Sequence, residues 1–66
     1  MFKYWIECES KGQKYYYSIA RETIGIWTDD ETKRMIWNER KKAVGYFLDM
    51  AEIISCDEIR LICKEA

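Results

Sequence analysis

Sixty-six residues leave room for one domain, 1–66, and a chain of this size buries only about 60% of the surface that its unfolded form exposes. Three Trp, five Tyr and two Phe offset the small size, because each buried aromatic removes about 150–250 Å² from water, and such a composition argues against disorder. The formal net charge of −1 excludes a one-signed field steering the whole chain to nucleic acid or anionic lipid, and the lack of histidine removes the side chain best suited to proton transfer near neutral pH.

Phe2, Tyr4, Ile6 and Cys8 alternate with Lys3, Trp5, Glu7 and Glu9, the period of a half-buried strand. Ser10-Lys11-Gly12-Gln13 reads as a turn, and the tyrosine-dense run Lys14 to Ala20 as the return strand of an antiparallel hairpin. After a break at Arg21-Glu22-Thr23, Ile24 to Thr28 forms a third, shorter strand. Thr28 with Glu31 fits a capping box, and Asp29, Asp30 and Glu31 place negative charge where a helix dipole favours it, so a helix is predicted from here to about Ile54. Ile36, Ala43, Val44, Phe47, Ala51 and Ile54 cluster on one face of it at 100° per residue. Arg40 falls within that apolar arc. Gly45 is either a tolerated glycine or a kink or helix end. Ser55-Cys56-Asp57 terminates the helix, and Ile59, Leu61 and Cys63 alternate with Arg60, Ile62 and Lys64 in a closing strand, Glu58 to Lys64. The predicted class is therefore α+β: a single small domain of order β-β-β-α-β, mainly antiparallel, with one long helix packed on one face of the sheet.

No catalytic residue, cofactor or metal ligand is expected. Serine and cysteine nucleophiles lack a partner base, and no phosphate-cradling glycine loop or paired-histidine motif occurs. Asp29-Asp30-Glu31 is better explained as a helix cap than as a magnesium site. Cys8, Cys56 and Cys63 have no C-x-x-C spacing, so they are expected to be reduced structural thiols, with Cys8 and Cys63 acting as small hydrophobes. The sequence shows no signal peptide pattern and no apolar run near 18 residues, which leads to an expectation of cytoplasmic residence without a membrane partner.

If Phe2, Tyr4, Ile6, Tyr15, Tyr17, Ile19, Ile24, Ile26, Ile59 and Leu61 face the helix, the pleat sends Trp5, Tyr16, Trp27 and Ile62 to the opposite face, with Lys3, Lys14, Arg60 and Lys64 alongside. Exposed aromatics with basic neighbours suit a protein interface; the alternative is a stacking platform for single-stranded nucleic acid. Trp5, Tyr16, Trp27, Ile62, Lys3, Lys14, Arg60 and Arg40 are thus the expected partner-binding residues. The breadth of the apolar arc and the uncovered aromatics also lead to the expectation of a homodimer.

The order β-β-β-α-β, with Ile24-Gly25-Ile26-Trp27-Thr28 directly before an acidic helix start, resembles the partial RNase H-like domain of HicB-type antitoxins. In that family a P-G-C-x-T segment leads into G-D-T-x-E-E-A; here Gly25 and Thr28 match the first, the prolines are missing, and Asp29-Asp30-Glu31-Thr32 stands in place of the second. The resemblance implies a dimeric, non-catalytic domain that binds and blocks a small partner protein. Small bacteriophage inhibitors of host defence proteins share the same profile of short length, no cofactor and a sheet-plus-helix surface.

Overall fold

The computed structural model describes residues 1–18, 27–53 and 56–65. The N-terminal alternation forms β1 (Phe2–Ser10), which returns as β2 (Gln13–Tyr17). Between them Lys11 and Gly12 both take positive φ, 52° and 80°, the two-residue mirror-image turn whose twist matches the strands it joins. Glycine adopts that conformation freely; Lys11 is held there partly by its backbone N–H, which donates to Asp57 Oδ2 at 2.9 Å. β3 (Trp27–Thr28) pairs with β2, and β4 (Glu58–Glu65) pairs with β1 from Phe2↔Glu65 to Glu9↔Glu58. All pairings are antiparallel and the strand order is β3-β2-β1-β4. With α1 (Arg40–Ile53) between β3 and β4, this is the expected small α+β domain. The parts of the second and third predicted strands at 19–26, and the helix end at Ile54, lie outside the described residues.

The helix begins eleven positions later than the capping signals imply. Asp30, not Thr28, caps a single 3-10 turn at Glu31–Lys33, its carboxylate accepting from the Thr32 N–H at 3.0 Å, while Thr28 Oγ1 accepts from the Asp30 N–H at 3.1 Å. The chain then runs extended because β1 is longer than β2 and leaves part of its edge open. Met35 N–H donates to Tyr17 O at 2.7 Å, and Trp37 exchanges two backbone bonds with Tyr4, both 2.9 Å, filling that edge. These three bonds pair three groups of the strands, the Tyr4 N–H and C=O and the Tyr17 C=O, with the extended segment. α1 passes unbroken through Gly45, which is exposed and meets no atom within 4 Å of where a Cβ would stand.

The core lies between the sheet and α1. Ile6 and Ala43 are fully buried, with Tyr4, Tyr17 and Trp37 around them and Trp27, Met35, Phe47, Met50, Ile59 and Leu61 packed alongside. Ala43, Phe47 and Met50 are spaced at i, i+4 and i+7, the stripe a helix turns to a sheet. Four aromatics continue the core: Tyr17 stacks on Trp37 with centroids 5.7 Å apart, Trp37 on Tyr46 at 5.2 Å, and Trp27 meets Tyr17 edge-on at 5.8 Å. Three members of the expected apolar sets are exposed instead, Phe2 on β1, Ile36 ahead of α1 and Ala51 on α1, and Leu48 on α1 is exposed as well. Cys8 is buried as expected, whereas Cys63, near the end of the edge strand β4, is exposed.

Candidate functional site

The sheet face turned away from α1 is organised around Glu7. On β1, Trp5 and Glu7 point to this face two residues apart, and the Trp5 indole N–H donates to Glu7 Oε2 at 2.8 Å. The strand registers bring Arg60 from β4 and Tyr16 from β2 directly opposite Glu7, and Ile62 opposite Trp5. Lys14 Nζ lies 3.7 Å and Arg60 Nη2 4.0 Å from Glu7 Oε1, and Arg60 also reaches Glu9 at 3.6 Å and Glu58 at 3.7 Å. Glu7 is only 9% exposed, and an unpaired buried carboxylate would be costly; an indole donor and two cations make the burial tolerable.

Trp5 is not the uncovered ring that strand alternation alone implies. It is 9% exposed, because Arg34, carried over this face by the chain just after the 3-10 turn, lays its guanidinium 4.6 Å from the ring centroid. Arg34 is itself held by Glu31, through the carboxylate at 3.2 Å and the backbone carbonyl at 2.8 Å. Lys3, Trp5, Glu31, Arg34, Lys64 and Glu65 together line a cavity of about 280 Å³.

Of the eight residues expected to form one surface, six share this face: Lys3, Trp5, Lys14, Tyr16, Arg60 and Ile62. Trp27 does not. It is the direct partner of Tyr17, and facing residues of an antiparallel pair share a side, so Trp27 belongs to the core face. Arg40 is absent from it as well: it is the exposed first residue of α1 rather than a charge inside an apolar arc, since the helix starts at that position. It lies close enough to the Tyr4 hydroxyl to oppose in part the rise in pKa that burial and the neighbouring Cys63 thiol impose there. Sequence periodicity did not single out Arg34, which a continuous helix would have placed on its solvent side, or give Glu7 its central position. The one local signal was the same-face spacing of Trp5 and Glu7.

Among the described residues no group of three Cys, Asp or Glu side chains is arranged to hold a metal ion, and no helix is long and apolar enough to cross a membrane. Burial pushes the Cys8 thiol up to about 11, with the Cys56 thiol beside it adding to the shift, a direction that suppresses thiolate chemistry at neutral pH. Comparison with protein-family models, with curated proteins and with solved structures gives no match.

Proposed function

We propose that the protein is a small non-catalytic binding module that regulates a partner protein by docking its outer sheet face on the partner and occluding that surface, in the manner of an antitoxin or a phage-encoded inhibitor of a host defence protein. The observation that carries this reading is the character of that face. Beyond the segment of Glu31 and Arg34 that covers Trp5, no helix packs on it among the described residues, and it mixes cations (Lys3, Lys14, Arg34, Arg60) with carboxylates (Glu7, Glu9, Glu31) around a tryptophan fixed in place. Charges of both signs pair among themselves and suit another protein surface, whereas a phosphate backbone favours a face of one sign. The Trp5 ring, covered by Arg34, is withdrawn from base stacking, which needs an open aromatic face. Trp and Arg held rigidly are also the residue types that dominate protein interfaces, because little conformational entropy remains to be lost on binding.

The test is affinity capture from the native host followed by titration of the purified partner. Tyr16→Ala and Ile62→Ala, both half-buried on the outer face, are expected to weaken binding by about tenfold or more each, while Leu48→Ala on the exposed side of α1 leaves it unchanged. Saturable quenching of tryptophan fluorescence by single-stranded oligonucleotides at physiological salt, lost with those same outer-face substitutions, would overturn the reading in favour of nucleic-acid binding.

A further inference from the structure

The register of the sheet fixes which backbone groups of β4 are free. Tyr4 exchanges both its N–H and C=O bonds with Trp37 on the side of β1 away from β4, so the facing pair Tyr4↔Cys63 is of the non-hydrogen-bonded kind, and by alternation so are Ile6↔Leu61 and Cys8↔Ile59. The N–H and C=O groups of Ile59, Leu61 and Cys63 therefore point outward from the sheet edge. Among the described residues none of these groups has a backbone partner.

We infer that this edge pairs with the β4 edge of a second copy, antiparallel and with Leu61 on the two-fold axis. Three registers keep the two copies' sheet faces aligned and put outward groups opposite outward groups near the strand centre. Centring on Arg60 opposes Arg60 to its own copy. Centring on Ile62 opposes Arg60 to Lys64 of the second copy, twice. Centring on Leu61 opposes Glu58 to Lys64 of the second copy, twice, and matches Ile59 with Cys63, Arg60 with Ile62 and Leu61 with itself; its like-charge match, Asp57 with Glu65, falls at the margin, where Asp57 lies in the bend before the strand. Like charges directly opposite are destabilising and unlike charges stabilising, so the charges that guard the edge in two registers select the third. A second observation agrees. Within one chain, β4 faces β1 with like charges at both ends, Glu58 opposite Glu9 and Lys64 opposite Lys3. Arg60 bridges the two glutamates, but no carboxylate among the described residues lies within 4.0 Å of Lys3 or Lys64. A second β4 supplies Lys64 with one. The product is a continuous eight-stranded sheet whose outer face runs across both copies, with both helices on the other side.

This inference does not depend on the docking reading above, since it is tested on the purified chain alone by sedimentation at low ionic strength. The wild type is expected at twice the 8.0 kDa chain mass. Glu58→Lys and Lys64→Glu are each expected to weaken the dimer by about tenfold or more. Neither change endangers the fold, because each replaces a like-charge pair with β1 by an unlike one. Mixing the two variants restores a dimer, since positions 58 and 64 of the two copies then carry opposite charges at both ends of the strand pair. A wild type that stays monomeric at high micromolar concentration overturns the inference, as does a dimer indifferent to both substitutions or a mixture that fails to restore it.

Discussion

The two faces of the sheet each bury a tryptophan, and they do so by different physical means. On the core face Trp37 lies between Tyr17 and Tyr46 under a helix, with 5% of its surface exposed. On the outer face Trp5 reaches 9% with no helix above it, enclosed by the chain's own Arg34 and Glu7. Burial by an apolar layer is stabilised by area removed from water and by close packing. Burial by charged neighbours costs desolvation that the ion pairs and the indole bond must offset. The first arrangement serves stability, while the second leaves a polar, ion-paired surface.

Substitutions separate the two kinds of burial. Trp37→Ala removes the centre of the aromatic stack and is expected to cost about 3–5 kcal/mol, read as a fall in the urea midpoint; for a chain this small that approaches the whole stability. Arg34→Ala is expected to cost less, about 0.5–2 kcal/mol for a cation over an indole, with a red-shifted tryptophan emission as Trp5 becomes wet. Equal losses from the two would show that the outer face is as much a core as the inner one. Gly45→Ala strengthens the covering helix without touching either face and is expected to stabilise by about 1 kcal/mol, leaving partner affinity unchanged.

The smallest effect at neutral pH concerns the thiols. Cys63 is expected to react with a disulfide reagent well before Cys8, which is buried and protonated. Because the folded state holds the Cys8 proton up to about 11, it binds more protons than the unfolded state just below that pH. Its contribution to stability is full below the thiol's ordinary range and is lost as pH rises towards about 11. Cys8→Ala should therefore flatten the alkaline decline seen in the wild type; an identical decline in both proteins would place its cause elsewhere.

Much of the sheet was legible because period-2 alternation is local. Phe2 to Glu9, the Lys11-Gly12 turn and the closing strand all sit where alternation and turn chemistry put them. The helix start was not, since Asp30 and Thr32 form a genuine cap that a 3-10 turn satisfies as well as an α-helix does. What ends the helical run is an unpaired stretch of β1 far away in sequence, and no local pattern reports it. Trp27 was misassigned for a related reason: its side of the sheet follows from the register Tyr17↔Trp27, which depends on how the intervening chain returns rather than on the strand's own alternation. The outer face was thus recognisable as a set of residues, but the cover over Trp5 was not, because Arg34 reaches it through that same change from helix to extended chain.

The pairing of β1 with β4 joins residues 2–9 to residues 58–65, so the longest ladder in the domain is also its least local one. Loop-closure entropy must be met before that ladder contributes anything, which gives the protein a high contact order despite its small size. Folding on the millisecond-to-second scale follows, rather than the microseconds open to helical domains of the same length. During synthesis the hairpin β1–β2 emerges with one side of β1 unsatisfied until the final strand arrives. The nascent chain consequently passes through an interval in which its central strand is an open edge, and the charged residues of β1's outer face, Lys3, Glu7 and Glu9, are what keep that interval from favouring pairing between chains.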